Sequence, residues 1–227
     1  MPTSNSIDYQ LTTNQLIEEA YDICGVGSEG EGISADQYAR GKRSLNTMVK
    51  AWSASDHLWL RTDGSKVLVA ATSSYALTPK PLRILDARRK DTSNIETPMR
   101  EWSRAEYLDM PNKTSTGVPV NFYYDPQRDT GTMYVWPTPG ATEASEYTVE
   151  FTYLRRMDDF DGTADAPDLP QEWLEALTFG LAERLALKYV TRPDLRAEIS
   201  ARAVAYKAEL NAWDTEPASL FMQPEYE

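Results

Sequence analysis

Apolar residues recur every three or four positions in four stretches of the chain, the spacing that places them on one face of a helix. In residues 168–189 these positions are spaced by four: Trp173, Leu177, Leu181 and Leu185. Asp168 precedes the apolar positions as a candidate N-cap. Gly180 lies among them, where we expect another backbone to pack closely. The pattern predicts a central helix in a helical core that receives both ends of the chain.

Two further helices are predicted before this one and one after it. Thr13 is a candidate cap for the first, which should end at Gly25. Ser34 and Gln37 form a capping box at the start of the second. The last helix restarts at Pro193, and its spacing predicts another buried stripe: Leu195, Ile199, Ala203, Tyr206, Leu210 and Trp213.

The pattern between the second helix and the central one is different, because β-branched and aromatic residues are frequent there, and in residues 147–154 they alternate with polar ones. A turn is predicted at Asp63 and Gly64, and one or two helical turns at residues 103–108. Strands are predicted at residues 66–72, 75–77, 83–90, 95–101, 120–124, 132–136 and 147–154.

These elements together predict an α+β fold. Residues 1–63 and 157–213 form a helical bundle from the two ends of the chain, and residues 64–156 form a mostly antiparallel β domain inserted between them. Residues 214–227 are predicted to be an extended C-terminal arm that cannot bury its own apolar side chains.

The composition of the chain narrows the range of possible functions. The formal net charge is −12, from 35 acidic and 23 basic residues, which argues against tight binding to nucleic acid. Cys24 and His57 are the sole cysteine and histidine, so we expect no metal site, no cofactor and no histidine-based catalysis. His57 is expected to pack beside Trp59 or to be partly exposed. No stretch has the character of a secretory signal or a bilayer span, which predicts a cytosol-like compartment and no membrane partner.

Two charged segments are candidates for binding. Residues 158–165 are rich in aspartate, but they fail the spacing of a calcium loop, and a solvated loop is the preferred interpretation. The densest basic cluster is Arg83, Arg88, Arg89 and Lys90. It can contact an acidic partner or a phosphate backbone, or it can be a charged edge strand that resists aggregation, and we favour the second interpretation.

The apolar residues near the C-terminus suggest a docking arm. Leu220, Phe221, Met222 and Tyr226 lie among prolines and acids, and an exposed apolar triplet without a partner is a liability. We therefore favour an arm that docks onto a neighbouring subunit over a functionless tail.

Four aromatic residues of the β segment leave two interpretations open. Tyr123, Tyr124, Tyr134 and Trp136 either fill the core of the sheet or form a surface that binds carbohydrate or protein. No sequence motif of a hydrolase or protease accompanies them, so we expect no enzymatic activity.

Three parts of the chain, in this order and at this spacing, carry a resemblance to a known family. They are the opening helices at residues 14–26 and 45–52, the segments 117–126 and 133–139, and residues 169–173 at the start of the central helix. In these parts the chain resembles the head-to-tail adaptor proteins of short-tailed bacteriophages, also called tail accessory factors or packaged-DNA stabilisation proteins.

The resemblance implies a structural virion protein in the neck or tail, assembled in the host cytoplasm. Such adaptors form a twelve-fold ring beneath the capsid portal, retain the packaged DNA, and provide the platform for nozzle, fibre or spike proteins. Their C-terminal segments reach the portal, which implies that role for residues 217–227. The alternatives are a carbohydrate- or protein-binding tail module and a murein hydrolase, for which no recognisable residues are present.

Overall fold

The computed structural model describes residues 5–26, 32–55 and 57–215. The chain divides into two compact units. A helical unit is drawn from residues 1–59 and 157–227, and a β unit comprises Leu60–Arg156.

The elements of the described residues confirm the predicted α+β class. The helices are α1 (Thr13–Ile23), α2 (Ala35–Trp52), α3 (Arg104–Asp109), α4 (Ala141–Glu146), α5 (Leu174–Tyr189) and α6 (Pro193–Trp213). The strands are β1 (Arg61–Val67), β2 (Ser74–Leu77), β3 (Arg83–Asp91), β4 (Glu96–Glu101), β5 (Asn121–Pro126), β6 (Gly131–Trp136) and β7 (Tyr147–Leu154).

Helix α5 is the centre of the helical unit, because α1, α2 and α6 all pack against it. Its apolar face is buried as predicted, from Leu177 to Leu185. An added Cβ on Gly180 would lie 3.0 Å from Met48 Sδ and 3.0 Å from Trp52 Cζ2. The expected close approach at this glycine is therefore made by side chains of α2 and not by its backbone.

The ends of the helices differ from the prediction in two places. The first helix is capped by Thr12 rather than Thr13, in a capping box with Gln15. Asp168 does not cap α5, which begins six residues later at Leu174, after a single 3₁₀ turn. The Asp168 carboxylate instead accepts a hydrogen bond from the backbone N–H of Asp158. Local spacing alone did not reveal that a tertiary contact competes for this carboxylate.

The predicted buried stripe of α6 holds only in its first half. Ile199 and Ala203 are buried, whereas Trp213 is 66% exposed. Because α6 packs chiefly on one helix, α5, only a narrow strip of its surface is covered. The apolar end of α6 therefore lies at the surface of the helical unit.

The β unit is one seven-stranded sheet in the order β1-β7-β3-β4-β5-β6-β2. Every pairing is antiparallel except β4 with β5, which agrees with the predicted mostly antiparallel arrangement. Lys66 of β1 donates from Nζ to the Ala76 carbonyl of β2 at 2.9 Å, so the two edges nearly meet. Apolar side chains, including Phe122, Met133 and Val149, fill the concave side.

The predicted turn at Asp63 and Gly64 is wrong. Both residues lie inside β1, paired with Thr152 and Phe151 of β7. An added Cβ on Gly64 would lie 2.9 Å from the Phe151 ring, so this glycine admits an aromatic side chain and does not mark a turn. Of the helices in the described part of the chain, none combines the length and the hydropathy that a bilayer crossing requires.

Candidate interaction surfaces

The basic residues Arg83, Arg88, Arg89 and Lys90 all lie on β3, but the structure does not bring them together as one surface. Arg88 faces Asp86 at 3.5 Å and Glu96 at 3.3 Å. Arg89 donates to the Pro119 carbonyl at 3.1 Å, and the Lys90 Nζ lies 3.7 Å from Glu150. Arg83 is exposed at the start of the strand. Three of the four cations are therefore engaged by partners inside the β unit.

The interpretation of this segment as an edge strand is wrong. Strand β3 pairs with β7 on one side and with β4 on the other, so it lies inside the sheet. Its charges cannot protect a free edge from aggregation. Two of them, Arg88 and Lys90, instead pair across strands with Glu96 of β4 and Glu150 of β7.

The four aromatic residues of β5 and β6 belong to both faces of the sheet. Tyr124 is part of the concave core and donates from its hydroxyl to the Pro81 carbonyl at 2.6 Å. On the other face, Tyr123 is buried beneath Tyr107 of α3, with ring centroids 5.2 Å apart, and Tyr134 stacks beside it. Trp136 is half-buried and tilted against Trp102. This packing favours a structural role over a flat carbohydrate platform.

Hydrogen bonds and an ion pair connect the aspartate-rich loop, residues 158–165, to α2. Asn46 exchanges two hydrogen bonds with the backbone of Phe160, and Lys50 pairs with Asp159 at 2.8 Å. Asp165 accepts from the backbone N–H of Asp161 and Gly162. Within residues 5–26, 32–55 and 57–215, no group of three side chains could hold a metal ion.

His57 packs against Trp59 as expected, with ring centroids 5.5 Å apart. Its Nδ1 lies 2.9 Å from Oδ2 of Asp214, and both side chains are only 4% exposed. Oδ1 of Asp214 accepts from the Leu58 backbone N–H at 3.2 Å. The pair thus ties the end of α6 to the chain after α2, and its buried position offers no access to a substrate.

A basic groove, which no contiguous run of the sequence indicates, lies between α2 and α5. Its cations are Arg40, Arg43, Arg184 and Lys188, and Ser44, Thr47 and Leu187 complete its lining. The groove is open to solvent and has a volume of about 420 Å³, within the range of binding clefts. Arg40 pairs with Asp36 at 2.6 Å and Lys188 donates to Ser44 at 3.0 Å, while among the described residues no acid pairs with Arg43 or Arg184.

An acidic tryptophan face lies between the start of α5 and the end of α6. Its acids are Glu172, Glu175 and Glu209, and its apolar part is Ala176, Tyr206, Leu210 and the exposed Trp213. The pKa of Tyr206 is raised, first because its hydroxyl donates to the Glu175 carboxylate.

The side of α6 that faces away from the acidic tryptophan face carries Lys207, whose pKa reflects its burial and the positive charge of the basic groove. Lys207 lies over the Trp52 ring at 4.8 Å. The pKa of Lys207 is lowered, first because burial disfavours its charged form and second because Arg184 is also positive.

The helical spacing of the four cations is a signal for the basic groove in the sequence, although these residues do not form one contiguous cluster. Arg40 and Arg43 are three residues apart, and Arg184 and Lys188 are four apart, so each pair lies on one face of its helix. The two pairs come together only because α2 packs on α5, and no local sequence pattern predicts that packing. The predicted arm residues Leu220, Phe221, Met222 and Tyr226 lie outside the described residues.

A family model described as SU10 adaptor protein matches residues 27–219. Among curated proteins, none matches the chain significantly. Solved structures that resemble it include a chain from "Neck of empty GTA particle computed with C6 symmetry", at 13% identity and a TM-score of 0.30, covering 87% of this chain and 93% of that chain. Another comes from "Virion of native gene transfer agent (GTA) particle", at 14% identity, a TM-score of 0.30 and the same coverage of both chains.

Proposed function

The chain belongs to the SU10 adaptor protein family, and from that premise we propose that it is a structural virion protein joining the capsid portal to the tail of a short-tailed bacteriophage. The observation that carries the proposal is the extent of the family match, which runs through both the helical unit and the β unit.

In this proposal about twelve copies form a ring in the neck of the virion, with contacts that close on themselves. The ring retains packaged DNA and presents a platform for nozzle, fibre or spike proteins. A formal net charge of −12 per copy would let DNA pass without sticking wherever acids face the channel. Assembly takes place in the host cytoplasm, and residues 217–227 form the arm that reaches the portal or a neighbouring copy.

The alternatives have less support. A carbohydrate-binding module would require accessible aromatic rings, whereas Tyr123 and Tyr124 are buried. A murein hydrolase would require a catalytic pair of carboxylates in a cleft. Glu172, Glu175 and Glu209 line one pocket, but no hydrolase motif accompanies them, and the proposal assigns them no catalytic role.

Native mass spectrometry of the purified protein, alone and mixed with its portal ring, tests the proposal. We expect a monomer alone, and loading onto the portal in a fixed number of copies that matches the portal's symmetry. A matched variant without residues 217–227 should load less. A full-length protein that ignores the portal would overturn the proposal.

A further inference from the structure

The basic groove and the acidic tryptophan face lie on opposite sides of the α5–α6 pair. Glu175 and Arg184 are nine residues apart on α5, which places them about 180° apart around the helix axis. On α6, Lys207 contacts Trp52 of α2, and Glu209 points about 160° away from it. The charged residues that line the groove and the face are therefore of opposite sign and point in different directions.

The net charge makes the positive side unusual. At −12, two copies of the protein repel each other at long range, so a locally basic surface on one copy favours association with an acidic surface of another. The basic groove supplies such a surface in the helical unit. Arg43 and Arg184 remain available there, because no ion pair within the described residues engages them.

We propose that the acidic tryptophan face of one copy docks into the basic groove of the next copy. This inference rests on the proposed function, since it names the surfaces through which a ring would form. The contact joins two different surfaces of the same chain, so each added copy exposes a new groove and a new face. Such a heterologous contact closes into a ring when the rotation between copies divides a full turn.

Apolar and aromatic side chains on both surfaces fit this pairing. Trp213 is 66% exposed at the edge of the acidic face, and Leu187 is 68% exposed in the groove. Tryptophan and arginine are the residues that most often dominate interfaces. An arginine of the groove can also stack on the Trp213 ring in a cation–π contact.

Two charge-reversal variants test the pairing. The groove variant carries Arg43→Glu and Arg184→Glu, and the face variant carries Glu175→Lys and Glu209→Lys. Each variant alone sets like charges against each other in every contact. In an equal mixture, the acidic groove of one variant meets the basic face of the other, and the unchanged surfaces meet in the next contact. We therefore expect each variant alone to load on the portal at least about tenfold less than the wild type, and the mixture to load in alternation.

The controls separate folding and surface charge reversal from the contact. Arg128→Glu and Asp129→Lys, made as two separate variants, shift the net charge by −2 and by +2 at exposed positions of the β unit, and both should load normally. Circular dichroism of all variants should match the wild type, and the milder pair Arg43→Gln with Arg184→Gln should reduce loading by a smaller factor.

The outcomes distinguish the two proposals. If the groove variant or the face variant loads as well as the wild type, the inference is wrong and the adaptor proposal stands. If the wild type does not load at all, the adaptor proposal fails. In that case, sedimentation of the groove variant, the face variant and their equal mixture at high concentration tests the inference. A complex that forms in the mixture, and in neither variant alone, upholds the pairing, whereas equal behaviour of all three samples overturns it.

Discussion

The two basic clusters of this protein differ in how their charges are used. On β3, four cations lie within eight residues of sequence, yet Arg88, Arg89 and Lys90 have partners inside the β unit. In the basic groove, four cations from two helices meet in space, and no described acid pairs with Arg43 or Arg184. The cations of β3, which are close together in sequence, mostly have partners inside the β unit. The cations of the groove, which are dispersed in sequence, form an open surface.

The difference shows that the position of a cation in its element decides its role more than the density of charge does. A central strand has a neighbour on each side, and here Glu96 of β4 and Glu150 of β7 lie within reach of Arg88 and Lys90. A groove between helices exposes the faces that point away from the shared core. Changing an internally used charge should therefore cost stability, and changing an open one should cost association.

The largest effect on stability is expected at Asp214, whose carboxylate is buried against His57. Asp214→Ala removes the partner of His57 Nδ1 and of the Leu58 N–H, which should lower the free energy of unfolding by about 3 kcal/mol. Urea denaturation measures this change. Asp129→Ala, which removes an exposed carboxylate, is the control and should alter stability by less than about 0.5 kcal/mol. A loss below about 1 kcal/mol for Asp214→Ala would contradict the assignment.

A smaller effect is expected at Arg88 on β3. Arg88→Ala removes the pairs with Asp86 and Glu96, but these side chains are partly exposed and solvent screens them. The free energy of unfolding should fall by about 0.5–1 kcal/mol. Portal loading in the same native mass spectrometry assay should not change. A strong loss of loading with unchanged stability would mean that β3 is an interaction surface after all.

The smallest effect on stability is expected in the groove. Arg43→Ala combined with Arg184→Ala should change the free energy of unfolding by less than about 0.5 kcal/mol, because neither side chain has an acidic partner among the described residues. Loading on the portal should nevertheless fall, in contrast to Arg88→Ala. Denaturation and loading measured on the same preparations compare the two clusters directly. A large loss of stability in the groove variant would remove the distinction.

Much of the fold follows from local pattern. The capping box of Ser34 and Gln37, the buried face of α5 and the alternation of residues 147–154 each predicted an element that the structure confirms. The errors have a common cause. Asp168 resembled an N-cap, Gly64 a turn, and Trp213 a core residue, and in each case the outcome depended on a distant partner or on its absence.

The sequence by itself determined the α+β class, the order of most elements and the acidic character of the protein. Periodicity is a local property and net charge is a sum over residues, so both can be derived without knowledge of the tertiary contacts. Only the tertiary structure decided that β3 lies inside its sheet and that α2 and α5 bring four cations together. Strand order and helix packing arise from contacts between residues far apart in the chain, and no window of sequence contains both partners.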